Sequence, residues 1–139
     1  MKFRDLNGNI QRKNISKYKR LPDQISKSKG QNELANILIN IWPNTPIYEE
    51  LLCVGTKLKL DLFIDSLKIA FEFDGSQHEE FNPFFHGDRL RWLQSKNRDD
   101  LKEQWCKQNG IKLIRITEKD LDVNRIRGLI RDSCAGSNQ

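Results

Sequence analysis

The chain has 139 residues, with 24 Lys and Arg against 19 Asp and Glu, a formal charge of +5. That length suits one domain with a real core, and the basic balance points to an anionic partner such as nucleic acid without proving one. Three widely spaced cysteines without a CxxC pair speak against a disulfide framework or structural zinc, and no apolar run nears the ~18 residues needed to cross a membrane. With a polar, basic start in place of a signal peptide, a cytoplasmic setting is expected.

In chain order, residues 1–29 are rich in Lys and Arg, opposed only by Asp5 and Asp23, and hold few apolar side chains. They read as a flexible or partly helical basic arm, in which Lys13, Lys17, Lys19 and Arg20 are candidate DNA contacts and Tyr18 can stack on a base. The core is expected over 30–134. Ser28 followed by Gln31 resembles a capping box, after which Leu34, Ile37, Leu38 and Ile41 recur at helical spacing until Pro43. Ile47 to Val54 reads as a strand, and Gly55-Thr56 turns it into a second strand with Leu58, Leu60, Leu62 and Ile64 on one face. Asp65-Ser66 reads as a tight turn into a third strand.

The loop from Gly75 to Gly87 carries Phe81, Phe84 and Phe85, more apolar than a solvated loop needs. Packing on the core is the preferred reading over wedging between base pairs. A helix from about Asp88 to Asn109 should bury Leu90, Leu93, Leu101 and Trp105 and end at Gly110 as its left-handed cap. Its basic side holds Arg89, Arg91, Lys96 and Arg98, of which Arg89 and Arg91 join the candidate DNA contacts. Ile111 to Ile116 reads as a buried strand, Leu121 to Ile130 as a closing amphipathic helix, and residues 135–139 as a frayed tail.

The chemistry gathers in KLDLFIDSLKIAFEFDGSQH, Lys59 to His78. Residues two apart on a strand share a face, so Glu72 and Asp74 lie on one side and Phe71 and Phe73 on the other, as in a half-buried strand. Pairing about the Asp65-Ser66 turn brings Asp61 and Glu72 together. Two carboxylates that close repel unless a cation lies between them, and oxygen ligands favour Mg2+ or Mn2+. A lone strand acid is ordinarily just solvated and a lone loop histidine bonded to backbone. It is the gathering of Asp61, Glu72, Asp74 and His78 beside Gly75 that points to a site. His86 lacks such company and reads as a surface residue.

Asp61 to Phe63, then IAFEFDGSQH, a helix with Arg98-Asp99, and Gly110 with IKLIRI together resemble the PD-(D/E)XK nuclease superfamily. The similarity is to the branch of very-short-patch repair endonucleases and phage homing endonucleases, over roughly residues 31–118. The resemblance implies an α/β restriction-endonuclease-like core, a central mixed four-stranded sheet flanked by helices in the order αβββαβ-α. It implies metal ligation by Asp61, Glu72 and the Phe73 carbonyl, with His78 as general acid or base oriented by Asp99. Glu33 takes the place of a supporting carboxylate on the first helix. Asp74 stands where the superfamily carries a lysine; ligand, cap and base all remain open for it.

The implied activity is metal-dependent hydrolysis of double-stranded DNA by a homing-type endonuclease. The alternatives are a mismatch or junction repair nickase, a non-cleaving nucleic-acid-binding module on the same fold, and an interaction protein docking by charge alone. One site per chain cuts one strand, so double-strand cleavage predicts a homodimer or sequential nicking.

Overall fold

The structure is a computed structural model that describes residues 1–75 and 89–136. Four strands form one sheet in the order β3 (Tyr48–Leu52), β4 (Lys59–Ile64), β5 (Ile69–Asp74) and β6 (Lys112–Thr117). β3, β4 and β5 are an antiparallel meander, and β6 returns parallel to β5. Adjacent antiparallel strands need only a short turn, whereas a parallel return needs a crossover. Here α2 (Arg89–Gln108) lies in that crossover. With α1 (Lys29–Ile41) before the sheet and α3 (Val123–Gly136) after it, the order is α-β-β-β-α-β-α, the expected α/β class with a mixed sheet.

The element ends show why these segments take these forms. Ser28 caps α1, its side chain accepting from the Gln31 N–H at 3.2 Å. The reciprocal half of the expected capping box is absent, because the Gln31 side chain turns inward to donate to Glu49 Oε2 at 2.8 Å. α2 ends at Gly110 with φ +66°, where the Gly110 N–H reaches the Lys107 carbonyl and the Ile111 N–H the Cys106 carbonyl. Those two bonds make a Schellman cap, which glycine accommodates without a Cβ penalty. α3 continues to Gly136, so it takes in the start of the segment that composition reads as a tail.

Both faces of the sheet are covered. Leu62, Ile64, Ile69, Phe71 and Ile116 pack against Leu34 and Leu38 of α1 and Ile126 of α3. On the other face Leu51, Leu60, Phe63 and Ala70 pack against Trp105 and Cys106 of α2. β5 therefore corrects the half-buried expectation, since Ile69 through Glu72 are all buried. Leu93 is exposed, so α2 buries its C-terminal half through Trp105 in place of that leucine.

The face assignment on β4 also needs correction. Leu60 belongs to the cluster of Phe63, whereas Leu62 and Ile64 belong to the opposite one, so strict alternation breaks at Asp61. β3 breaks at the facing position, where Glu50 has a left-handed φ of +54°. The ladder skips that pair, running Glu49↔Leu62 and then Leu51↔Leu60. Such a local irregularity re-aims side chains, as bulges do. It leaves Glu50 and Asp61 on neither apolar cluster.

The basic segment 1–29 is not a loose arm. β1 (Lys2–Arg4) and β2 (Ile10–Arg12) form an antiparallel ribbon, and Phe3 and Ile15 are buried in the α2-side core. The Phe3 ring stands 5.4 Å from Trp105 and 6.5 Å from Phe63 between centroids. One well-placed aromatic at Phe3, worth about 1.5–3 kcal/mol when fully buried, anchors a segment whose average composition is polar. Among the described residues, no helix is long and apolar enough to cross a membrane.

Candidate active site

The β4–β5 hairpin places Asp61 and Glu72 against each other, as their spacing about the turn requires. The Asp61 N–H donates to Glu72 Oε2 at 2.6 Å, and the Phe73 N–H donates to Asp61 Oδ2 at 2.9 Å. Each carboxylate thus takes a bond from the other's strand and is fixed in orientation, and both residues are only 6 % exposed. Burial pushes the Glu72 carboxyl above its ordinary range, and the neighbouring Asp61 charge adds to that; the Lys102 ammonium works the other way.

Two lysines meet these acids. Lys102 of α2 is ion-paired and hydrogen-bonded to Glu72 Oε1. Lys27, in the loop before α1, lies 3.3 Å from Asp61 Oδ1 and 3.2 Å from Glu50 Oε1. Burial opposes the Lys27 charge, yet Asp61 and Glu50 outweigh it and raise its pKa. Glu50 Oε2 is buried and has no hydrogen-bond partner among the described residues. Three carboxylates against two ammonium groups leave an excess of negative charge at the sheet irregularity.

An open cleft of about 350 Å³ leads to this cluster, and Lys27, Glu50, Asp99 and Lys102 are among its walls. Asp99, expected to orient His78, accompanies Arg115 of β6, which donates to the Asp99 carbonyl at 3.1 Å. The Arg115 Nη1 lies 3.7 Å from Asp99 Oδ1. Asp74 ends β5 beside Thr117 of β6 and is half-buried. Glu33 is not brought to the cluster: it is exposed on α1, and the polar side chain of that helix that turns inward is Gln31. His78, Phe81, Phe84, Phe85 and His86, and the side chains of Leu90, Arg89 and Arg91, lie outside the described residues.

The basic residues assigned to an arm divide once placed. Arg20 is buried, its Nε 2.8 Å from Glu49 Oε1 and its Nη2 bonded to Gln24 O and Asn32 Oδ1, so it is a structural cation and not a DNA contact. Lys13 donates to the Leu52 carbonyl at 3.2 Å, and Lys13 and Lys17 each hold their ammonium 5.1 Å from the Tyr18 ring centre. The Tyr18 ring is therefore occupied by its own neighbours rather than offered to a base. Lys19 stays exposed. Cys53 and Cys106 are buried thiols, and burial pushes both up to about 12.

Sequence reading missed Glu50, Lys27 and Lys102 as site residues. Lys102 lies thirty positions from Glu72, and Lys27 thirty-four from Asp61. A signal for Lys102 did exist: it falls one helical turn after Arg98 on the helix already assigned to this site.

No protein-family model matches the chain, and no solved structure does. The chain is 36 % identical over 62 residues to uncharacterized protein 033L of Invertebrate iridescent virus 3, the match covering 45 % of this chain and 32 % of that protein. It is 35 % identical over 66 residues to uncharacterized protein 307L of Invertebrate iridescent virus 6, covering 46 % and 34 %. Against uncharacterized protein 094L of Frog virus 3 (isolate Goorha) it is 41 % identical over 71 residues, covering 49 % and 46 %. The chain thus spans between about a third and a half of the length of the curated viral relatives it matches.

Proposed function

We propose that the protein is a metal-dependent DNA endonuclease of homing type, built on a restriction-endonuclease-like core. The observation that carries this reading is the buried pair Asp61 and Glu72, cross-bonded between β4 and β5, whose lysine partners Lys27 and Lys102 line a basic cleft. The donor set fits a hard cation. Mg2+ is commonly bound by one or two carboxylates with substrate phosphate and water completing the shell, so a pair suffices. Among the described residues no group of three or more His, Cys, Asp or Glu forms a full protein cage. Asp61 and Glu72 would hold the ion.

When bound, such an ion polarises the phosphate and lowers the pKa of a water ligand. The chain's own groups supply the rest. The Phe73 N–H and Asp61 N–H fix the two carboxylates in one orientation before substrate arrives. Lys102 opposes the upward push that burial gives the Glu72 carboxyl and presents a positive charge to a phosphate entering the cleft. By resemblance, His78 acts as the acid or base.

A non-cleaving DNA-binding module on the same fold is favoured by one observation: Lys27 and Lys102 already neutralise both carboxylates. Incubation with supercoiled plasmid in Mg2+, Mn2+ and chelator, beside Asp61→Ala, separates the two. Metal-dependent nicks absent from the variant support the nuclease. Intact but bound DNA supports the module, and DNA neither cut nor bound removes both.

A further inference from the structure

The cleft is walled by cations from three separate parts of the chain. Lys27 comes from the loop before α1, Lys57 and Lys59 from the entry to β4, and Arg98 and Lys102 from α2. Their spacings explain the convergence, since positions two apart on an extended strand share a side and positions four apart on a helix share a face. Against these five cations the same walls carry two carboxylates, Glu50 and Asp99. Lys27 and Lys102 have their acids. The side chains of Lys57, Lys59 and Arg98 are exposed and have no ion-pair or hydrogen-bond partner among the described residues.

Like charges gathered around one cleft repel one another, and an anion seated among them removes that repulsion. We infer that this cleft, lined by Lys57, Lys59 and Arg98, is the track for the phosphodiester backbone of duplex DNA, and that the N-terminal basic segment is not. The inference rests on the reading that DNA is the substrate, and it adds where the strand lies. Lys27 and Lys102, which line the cleft, are the ion-pair partners of Asp61 and Glu72, so a backbone seated along it passes beside those carboxylates. Three of the N-terminal cations already have partners: Arg20 is buried on Glu49, and Lys13 and Lys17 lie over Tyr18, while Lys19 stays exposed.

The test is binding of a short fluorescent DNA duplex to the full chain in chelator, read by anisotropy between about 50 and 200 mM salt. The variant Lys57→Gln/Lys59→Gln/Arg98→Gln should flatten the slope of log affinity against log salt by about 2 to 3, roughly one phosphate per cation, at an unchanged unfolding temperature. The matched control Lys119→Gln/Arg127→Gln/Arg131→Gln removes equal charge from exposed positions after β6 and on α3 and should leave the slope near wild type. If the triple variant unfolds early, the three single variants carry the test, each expected to lower the slope by about 1. An unchanged slope in the cleft variants, an equal loss in the control, or retention of duplex RNA but not DNA would overturn the inference. Because binding is read without metal, DNA held by the cleft but never cut defeats the nuclease reading alone. Cutting that survives with an unaltered cleft slope defeats the track alone.

Discussion

Glu49 and Glu50 are neighbours in sequence and belong to two buried polar clusters of opposite kind. Glu49 is saturated: its Oε1 accepts from Arg20 and Gln24, and its Oε2 accepts from Gln31. The Arg20 and Glu49 side chains are 4 % and 3 % exposed, one cation against one anion. Glu50 lies across the strand in a left-handed backbone conformation, shares Lys27 with Asp61, and leaves one buried oxygen without a partner. A neutral ion pair sealed from water holds a fold together, even though Gln31 Oε1 beside it is likewise buried without a partner among the described residues. A cluster with acids in excess, opening on a cleft, has spare acceptor capacity for a cation from outside. Successive side chains on a strand leave it on opposite sides, so Glu49 is buried while Glu50 lines the cleft.

The sharpest way to break this distinction is catalytic. Asp61→Asn and Glu72→Gln should each lower Mg2+-dependent DNA cleavage on the order of a hundredfold or more, since each removes charge that would hold the ion. Initial rates on supercoiled plasmid measure it. Near wild-type cutting by both variants would leave the open cluster no more functional than the closed one.

The closed cluster should respond through stability. Arg20→Met strands the Glu49 charge in the interior and is expected to cost about 3–5 kcal/mol, whereas Arg20→Met/Glu49→Met should recover most of that loss. Urea unfolding of both proteins is the measurement, and equal loss in the two would mean that the pair is not self-contained. Phe3→Ala asks a parallel question of the N-terminal ribbon. A buried Phe removed from beside Trp105 should cost about 3–5 kcal/mol; a change of a few tenths would return residues 1–29 to the status of an arm.

The pH dependence separates the clusters further. The folded protein binds a proton at Glu72 more tightly than the unfolded chain, whose carboxyl has the ordinary value of 4.5. This contribution to stability is complete below that pH and is lost as pH rises through the folded value. Unfolding free energy measured from about pH 4.5 upward should therefore fall less steeply in Glu72→Gln than in the wild type. An identical slope would mean that Lys102 compensates the burial fully. The smallest effect is expected from Lys27→Met: its side chain is 58 % exposed, so its two ion pairs are screened and its loss should alter stability by no more than about 1 kcal/mol.

Local chemistry and spacing determined much of this protein on their own. Ser28 and Gly110 mark helix ends through bonds made within a few residues, and the sequence shows them. The strand order within the meander follows from short turns. Asp61 and Glu72 meet because eleven residues folded about one tight turn can pair in only one register that also buries Leu62 and Phe71 together. Distant contacts were decided only in the tertiary structure. Lys27 and Lys102 reach the carboxylates from elements thirty or more residues away; helical spacing from Arg98 hints at Lys102, but no local pattern marks Lys27. Glu50 takes its left-handed φ without being a glycine, and the ladder skips its pair with Asp61, so strict alternation misplaces Leu60. Composition averaged over residues 1–29 reads as an arm because average polarity does not register one phenylalanine, and it takes the packed core around Trp105 to make that phenylalanine an anchor.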